Sequence, residues 1–439
     1  MIDLCIKDCR IVCSTGIIDA GIAVDAGKIV AIAKNPSLPK ADETINARGK
    51  YVMPGMIDAH VHIREGMEEK EDWLTGSSAA AAGGVTTILS MPNTKPPNTS
   101  QKMLELRRKM AARKSVVNFG FHLGATPTNM DEISCAKNIA SVKVFMCKSI
   151  GDMTIADDKT LEAVFKCVKD RRTVATVHAE DQETIDLNAR KLKARGLNDP
   201  VMHSKVRDNK CAVKATSKVL KAAVEVGNRM HLCHVSTLEE IPLLAEVKKK
   251  NQQVSFEVTP HHLFLTEWDL KRLGNYGKTN PSLKSKRDAA TLWNALERDV
   301  DLIASDHAPH LRSEKEEDYW RAPSGVPGLE TTLPLMLNAV NEGRIAFNRL
   351  VELVSENPAR VFRIIGKGFV KEGFDADLTL IDLKTERRVD EDRLFTKCKW
   401  TPFNGIKLRG WPVMTLVNGR VIFEDEGVNN ITASEVVIA

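Results

Sequence analysis

The sequence predicts an α/β chain: a TIM-type (β/α)8 barrel over residues 53–364, with a small β-sandwich domain built from both termini, residues 1–52 and 365–439. Three observations predict it. Short apolar runs alternate with helical patterns over roughly 300 residues, the rhythm of a parallel barrel. β-rich stretches with turn signals occupy both ends of the chain, and neither is long enough to close a core alone. Polar, ligand-like side chains sit at the C-terminal ends of the apolar runs, the face on which such barrels carry their sites.

At the N-terminus, Leu4-Cys5-Ile6 and Arg10-Ile11-Val12 read as strands. Gly21–Val24 and Lys28–Ile32 flank an Asp25-Ala26-Gly27 turn, a hairpin signal. Eight barrel strands follow. The first is centred on Ile57–Arg64. The others are Thr86–Ser90, Val117–Phe121, Val142–Met146, Val174–His178, Met230–His234, Val254–Val258 and Asp301–Ser305. Helical patterns such as Ser100–Lys114, Lys159–Arg171 and Thr237–Lys250 lie between them. An open doubly wound sheet is the alternative, but no Gly-x-Gly-x-x-Gly follows the first strand. The C-terminal strands are Asp377–Ile381, Val413–Val417 and, after the Asn418-Gly419 turn, Arg420–Phe423.

Composition narrows the function class. The chain of 439 residues carries 63 basic and 58 acidic residues, a net charge of +5. That balance, with no dense basic run interleaved with aromatics, points away from nucleic acid. Lys248-Lys249-Lys250 ends a helical pattern, where cations are favoured anyway. No apolar run approaches the ~20 residues of a membrane helix, and Met1-Ile2-Asp3-Leu4 does not open a signal peptide. Nine scattered cysteines cannot all pair and suit a reducing cytoplasm. Cys5, Cys9 and Cys13 share strand parity, as a metal cluster or, the favoured reading, as small apolar fillers. A small-molecule enzyme is expected, cytoplasmic, with neither a nucleic-acid nor a membrane partner.

The chemistry centres on Asp58-Ala59-His60-Val61-His62-Ile63-Arg64. Strict alternation would place His60, His62 and Arg64 on one side of a strand. Two imidazoles so spaced suit one metal ion, and a guanidinium beside them suits a carboxylate. His178 and His234 end their strands, Asp306 follows Ala304-Ser305, and Lys143 lies between Val142 and Val144. Each has a plain alternative: a core histidine, a helix-capping aspartate, a lysine extending its head to water. Together, at the ends of one repeating pattern, they point to a catalytic zinc site with nitrogen and carboxylate ligands.

The motifs resemble those of the amidohydrolase superfamily, and within it the dihydroorotases. They are the His60 stretch, Met91-Pro92-Asn93-Thr94, Val177-His178-Ala179-Glu180, His234-Val235-Ser236-Thr237, Thr259-Pro260-His261-His262, Asn280-Pro281, Ser305–His310 and Pro327–Thr331. The resemblance covers nearly the whole chain. Arg64, Asn93 and His310 separate it from the hydantoinases and allantoinases, which remain the alternatives together with a non-catalytic scaffold.

The resemblance implies reversible hydrolysis of dihydroorotate to N-carbamoyl-aspartate, a step of pyrimidine biosynthesis, with two zinc ions per subunit. His60 and His62 would hold the first zinc and His178 and His234 the second. Asp306 would be a ligand of the first and the catalytic proton shuttle. Lys143, carboxylated, would bridge the two; Asp152 is the alternative acid, and Cys147 lies near that position. Arg64, Asn93 and His310 would bind the substrate carboxylate, and Asn280, Ser324 and Gly325 the ring. His261 and His262 receive no catalytic role. A homodimer is expected, and association with a carbamoyltransferase is left open. The chain reads Arg64-Glu65-Gly66 where the family carries a proline, a departure that bears on the loop and not on the ligands.

Overall fold

A computed structural model describes residues 1–149, 153–250, 253–424 and 427–439. Five strands come first: β1 (Ile2–Cys13), β2 (Gly16–Asp25), β3 (Lys28–Ala33), β4 (Ala41–Asn46) and β5 (Tyr51–Pro54). The hairpin between β2 and β3 turns on Ala26 and Gly27, both with positive φ, the backbone such two-residue turns require. The cysteine parity is broken by a bulge in β1 between Ile6 and Cys9, where Asp8 takes φ +56°. Cys5 and Cys9 are buried and Cys13 half-buried, all three as free thiols.

Eight parallel strands follow: β6 (Met56–Val61), β7 (Val85–Ser90), β8 (Asn118–Gly124), β9 (Ser141–Phe145), β10 (Val174–His178), β11 (Arg229–Leu232), β12 (Val254–Val258) and β13 (Leu302–Ile303). Each pairs with the next in sequence. The ring closes where Val61 pairs with His307 and His62 N–H donates to the His307 carbonyl at 2.8 Å. All six residues of β7, Val-Thr-Thr-Ile-Leu-Ser, are buried, as expected of a parallel strand covered on both faces. Helices start on capping side chains that satisfy otherwise orphaned N–H groups. Asp72, Ser100, Asp157, Asp181, Asp208 and Ser285 each accept a backbone hydrogen bond there.

The last strands, β14 (Leu378–Arg388), β15 (Lys407–Val417), β16 (Arg420–Glu424) and β17 (Gly427–Val428), return to the first sheet. β14 pairs antiparallel with β5, Leu380 opposite Val52, so both chain ends share one nine-stranded sheet. Its core mixes Leu4, Ile6, Ile22 and Val24 with Leu378, Leu380 and Leu416. Gly55 passes the chain from this sheet into β6. A Cβ there would lie 2.1 Å from the Thr86 side chain, so the close approach requires glycine.

One expectation fails. The alternation through Arg64 does not persist, because the strand ends at Val61. Arg64 takes φ +59°, and the loop turns again at Gly66. A Cβ at Gly66 would stand 1.8 Å from the Lys95 carbonyl, so this loop packs against the Pro92–Asn98 loop by omitting a side chain.

Candidate metal centre

The C-terminal ends of β6, β9, β10 and β11 and the segment after β13 converge on one cavity of about 430 Å³. Each of the twelve residues singled out above lines it. Arg64, His234 and Asp306 all have positive φ (+59°, +36° and +47°), a backbone that non-glycine residues adopt at a cost and that recurs at functional sites.

On one side, His60 Nε2 and His62 Nε2 lie 3.3 and 3.1 Å from Asp306 Oδ1. Each ring is oriented from behind. His60 Nδ1 lies 2.5 Å from Glu257 Oε1, and His62 Nδ1 lies 2.6 Å from Asn93 Oδ1. Both acceptors are oxygens, so each Nδ1 carries a proton, and Nε2 is the ring atom turned to Asp306, where a metal would be held. Glu257 also receives His231 Nε2 at 3.0 Å and the His234 N–H at 3.2 Å. Burial alone would raise Glu257 and Asp306. His60 and His231 outweigh it for Glu257, and His60, His62 and His234 for Asp306, so both carboxyls sit well below their ordinary range. Burial likewise disfavours a charged His60, yet Asp306 and Glu257 push it up to about 10. Two buried carboxylates flanking one imidazole favour a cation between them, the His60 imidazolium itself or a bound metal.

On the other side, His178 Nδ1 faces His234 Nε2 at 2.9 Å. His178 Nε2 donates to Glu180 Oε2 at 3.0 Å, so Nδ1 is the ring atom left for the cavity side. His234 Nδ1 is buried without a hydrogen-bond partner. Lys143, wholly buried between the two pairs, donates to Cys233 Sγ at 2.8 Å. His60, His62 and Asp306 can each offer one ligand atom to a common ion, all within 4.8 Å of one another. Convergent nitrogen and carboxylate groups beside buried negative charge fit a divalent metal. Cys147, His178 and Glu180 form another such group. There Arg207 already supplies the cation: Nη1 bonds Glu180 and lies 3.9 Å from Cys147 Sγ. Asp152 lies outside the described residues.

The cavity wall opposite is cationic. Arg64 is almost fully buried, donates to the Pro309 carbonyl at 3.1 Å and meets His310 Nε2 at 3.1 Å. Burial, with Arg64 next, holds His310 down to about 3, so its ring is neutral. Lys70 beside them pairs with Glu314 at 2.6 Å. Asn280 projects from the loop after the helical turn Gly274–Gly277, and Ser324 and Gly325 from the loop before the helix Leu329–Asn341. His262 bonds Thr259 Oγ1 at 2.8 Å and the Pro281 carbonyl at 3.2 Å, a supporting position.

Sequence reasoning missed several supports. Glu257 had a signal, a single carboxylate inside an apolar strand, which burial would penalise unless it were partnered. Asp58, whose carboxylate accepts the His60 and Ser305 N–H groups at 3.2 Å, stood in a quoted motif without a role. Trp400, whose indole N–H donates to the His310 carbonyl at 2.7 Å across 90 residues, gave none.

The amidohydrolase family's sequence profile matches residues 51–422. The chain belongs to the amidohydrolase family. Among its relatives is a dihydroorotase of Methanosarcina mazei, 40% identical over 441 residues that cover 98% of this chain and 96% of that protein. An L-hydantoinase of Paenarthrobacter aurescens is 36% identical, covering 97% and 95%. The solved L-hydantoinase (dihydropyrimidinase) from Arthrobacter aurescens superposes with a TM-score of 0.96 at 35% identity, over 100% of both chains. The amidohydrolase fold is thus shared with these relatives over nearly the whole length.

Proposed function

We propose that this amidohydrolase is a dihydroorotase, interconverting dihydroorotate and N-carbamoyl-aspartate in pyrimidine biosynthesis. The observation that carries the reading is Arg64. It is a buried guanidinium on the wall of the cavity that holds the histidine cluster, and it calls for a substrate that brings its own carboxylate. Dihydroorotate has one and hydantoin has none. Archaeal relatives named dihydroorotase, 37–40% identical over nearly the full chain, support it.

His60, His62 and Asp306 would hold one zinc, His178 and His234 a second, with Lys143 carboxylated between them. Bound there, zinc supplies Lewis acidity for the ring carbonyl and a water acidic enough to attack near neutral pH. Arg64, Asn93 and His310 clamp the substrate carboxylate and orient the ring, and Asn280 with the Ser324–Gly325 backbone positions its far edge. Asp306, held ionised by its histidine neighbours, accepts the water's proton on a carboxylate oxygen. It delivers that proton to the departing ring nitrogen, and the reverse order serves ring closure. The reading includes a cytoplasmic homodimer with residues 53–364 as the catalytic unit. Among the described residues no helix is long and apolar enough to cross a membrane.

A spectrophotometric assay of dihydroorotate against hydantoin and allantoin tests the reading. Preferred turnover of dihydroorotate is expected, and a preference for either other ring overturns it. Arg64→Ala should lose roughly 10²-fold in kcat/KM, since removing one partner of a buried charged pair costs several kcal/mol, with bound zinc unchanged. The hydantoinase reading has the structural likeness to the Arthrobacter enzyme in its favour.

A further inference from the structure

His203 stands outside the histidine cluster, opens the short helix His203–Val206 and is buried. Its Nε2 faces two groups, the Thr279 carbonyl at 2.8 Å and the Asn280 side-chain amide at 3.1 Å. Its Nδ1 lies 3.0 Å from the Tyr319 hydroxyl. A backbone carbonyl can only accept, so Nε2 carries a proton. The amide atom sharing that proton must then be the acceptor Oδ1. Nδ1 of the ring, left bare, takes the Tyr319 O–H. Every position in this chain of contacts has one consistent assignment, and it fixes the Asn280 amide. With Oδ1 turned to His203, Asn280 Nδ2 is the group left for the cavity that Asn280 lines.

We infer that His203 is a positioning residue that locks Asn280 with its NH2 toward the substrate, so that the site reads a carbonyl oxygen of the ring and not a ring N–H. The inference rests on the reading of this cavity as a cyclic-amide site and deepens it. A cyclic ureide alternates carbonyl acceptors with N–H donors around its edge. An asparagine free to flip would accept either register equally. Fixed as a donor, it favours the register in which a carbonyl that is not attacked faces Asn280, leaving the other carbonyl for the histidine cluster. A misplaced register leaves two N–H groups facing each other, both without an acceptor, and such a loss costs more than an ordinary hydrogen bond returns. Burial, with Lys278 and Arg207 nearby, keeps the His203 ring neutral, which preserves a bare Nδ1 for Tyr319.

The test is steady-state kinetics of the zinc-loaded full chain with His203→Phe, His203→Gln and Asn280→Asp, alongside zinc content and melting temperature. His203→Phe frees the amide to flip and should raise KM about tenfold with a smaller change in kcat. His203→Gln, whose amide N–H reaches the Nε2 position, should recover to within about threefold of the parent. Asn280→Asp, which can only accept near neutral pH, should be the most impaired. A thio analogue of the carbonyl that is not attacked adds a readout that a purely structural role would not move. The parent should discriminate against sulfur more strongly than His203→Phe does. Equal kinetics for the Phe and Gln variants, or an Asn280→Asp enzyme as active as the parent, overturns the inference. If His203→Phe does not fold, the Gln and Asp variants carry the test. The same series is run on whichever cyclic amide the parent hydrolyses, so a wrong substrate assignment and a wrong role for His203 give different results.

Discussion

The two walls of the cavity are built by different means. The histidine wall stands at strand ends, and the sheet itself supplies part of its bracing. Glu257 of β12 backs His60 of β6, and Cys233, directly after β11, contacts Lys143 of β9. The substrate-facing wall stands on loops. Arg64, Asn93, Asn280, His310, Ser324 and Gly325 lie on loops, several of which are tied down by side chains that bond backbone carbonyls. Trp400 bonds the His310 carbonyl. Lys315, fully buried, bonds the carbonyls of Pro323 at 2.9 Å and Gly325 at 3.1 Å. Lys278 bonds those of Tyr319 at 2.6 Å and Ala322 at 2.5 Å. The sheet sets one wall by register; the other depends on individual long-range ties. Damage to the first should therefore appear in metal content and turnover, and damage to the second in substrate affinity.

Asp306→Asn should have the largest effect. It keeps the shape and removes the proton acceptor and an anionic ligand, so kcat should fall on the order of 10³-fold, with weakened metal retention. Activity within tenfold of the parent would remove Asp306 from the proton transfer. Glu257→Gln comes next. The ring behind it keeps a hydrogen-bond partner but loses a neighbouring negative charge, and loss of such support typically lowers metal affinity roughly 10- to 100-fold. A competitive chelator titration reads this directly. If KM rises instead while metal affinity stays put, the division between the two walls is wrong.

On the loop wall, Trp400→Phe keeps the aromatic bulk and strands the buried His310 carbonyl. An unsatisfied buried acceptor costs about 1–3 kcal/mol. Part of that cost should appear as a KM increased roughly fivefold for dihydroorotate, with zinc stoichiometry unchanged. Zinc loss in this variant would show that the walls are mechanically one.

The same contrast explains what the sequence disclosed. Period-two alternation and repeated βα units report sheet register, so residues fixed by the sheet were legible: His60, His62, Lys143, His178 and His234 all line the cavity, with Asp306 just past β13. One β domain built from both termini was expected, but not that β5 would pair with β14 to join them. Ties such as Lys315 to Gly325 or Trp400 to His310 leave no periodic trace. A lysine or tryptophan bonded to a backbone carbonyl looks, in sequence, like any other lysine or tryptophan. Arg64 marks the boundary. Alternation placed it on the strand, yet it reaches the cavity from a left-handed loop position, because the chain must leave the barrel before β7 begins.

The smallest effect on catalysis, and the sharpest on stability, is expected at Glu330. This carboxylate is half-buried at the start of the helix Leu329–Asn341 and accepts the N–H groups of Phe395 and Thr396 at 2.8 and 3.0 Å. It thereby anchors the segment that carries Trp400. Burial first, and then the nearby carboxylate of Glu71, push it up to about 7, and the two N–H bonds only partly offset this. Between its ordinary pKa of about 4.5 and about 7 the folded chain keeps a proton that the unfolded chain has released. Stability should therefore fall as pH rises through that window, by up to roughly 3 kcal/mol. Glu257 works in the opposite sense. Its pKa lies well below the ordinary value, so its contribution is lost as pH falls. In Glu330→Gln, which cannot ionise, the fall between pH 4.5 and 7 should flatten, while kcat near neutral pH stays within about twofold. Melting temperatures of parent and variant, followed across that range at fixed zinc, decide it. Parallel curves would mean that Glu330 is ionised throughout, and that the anchor of the Trp400 segment is a charged one.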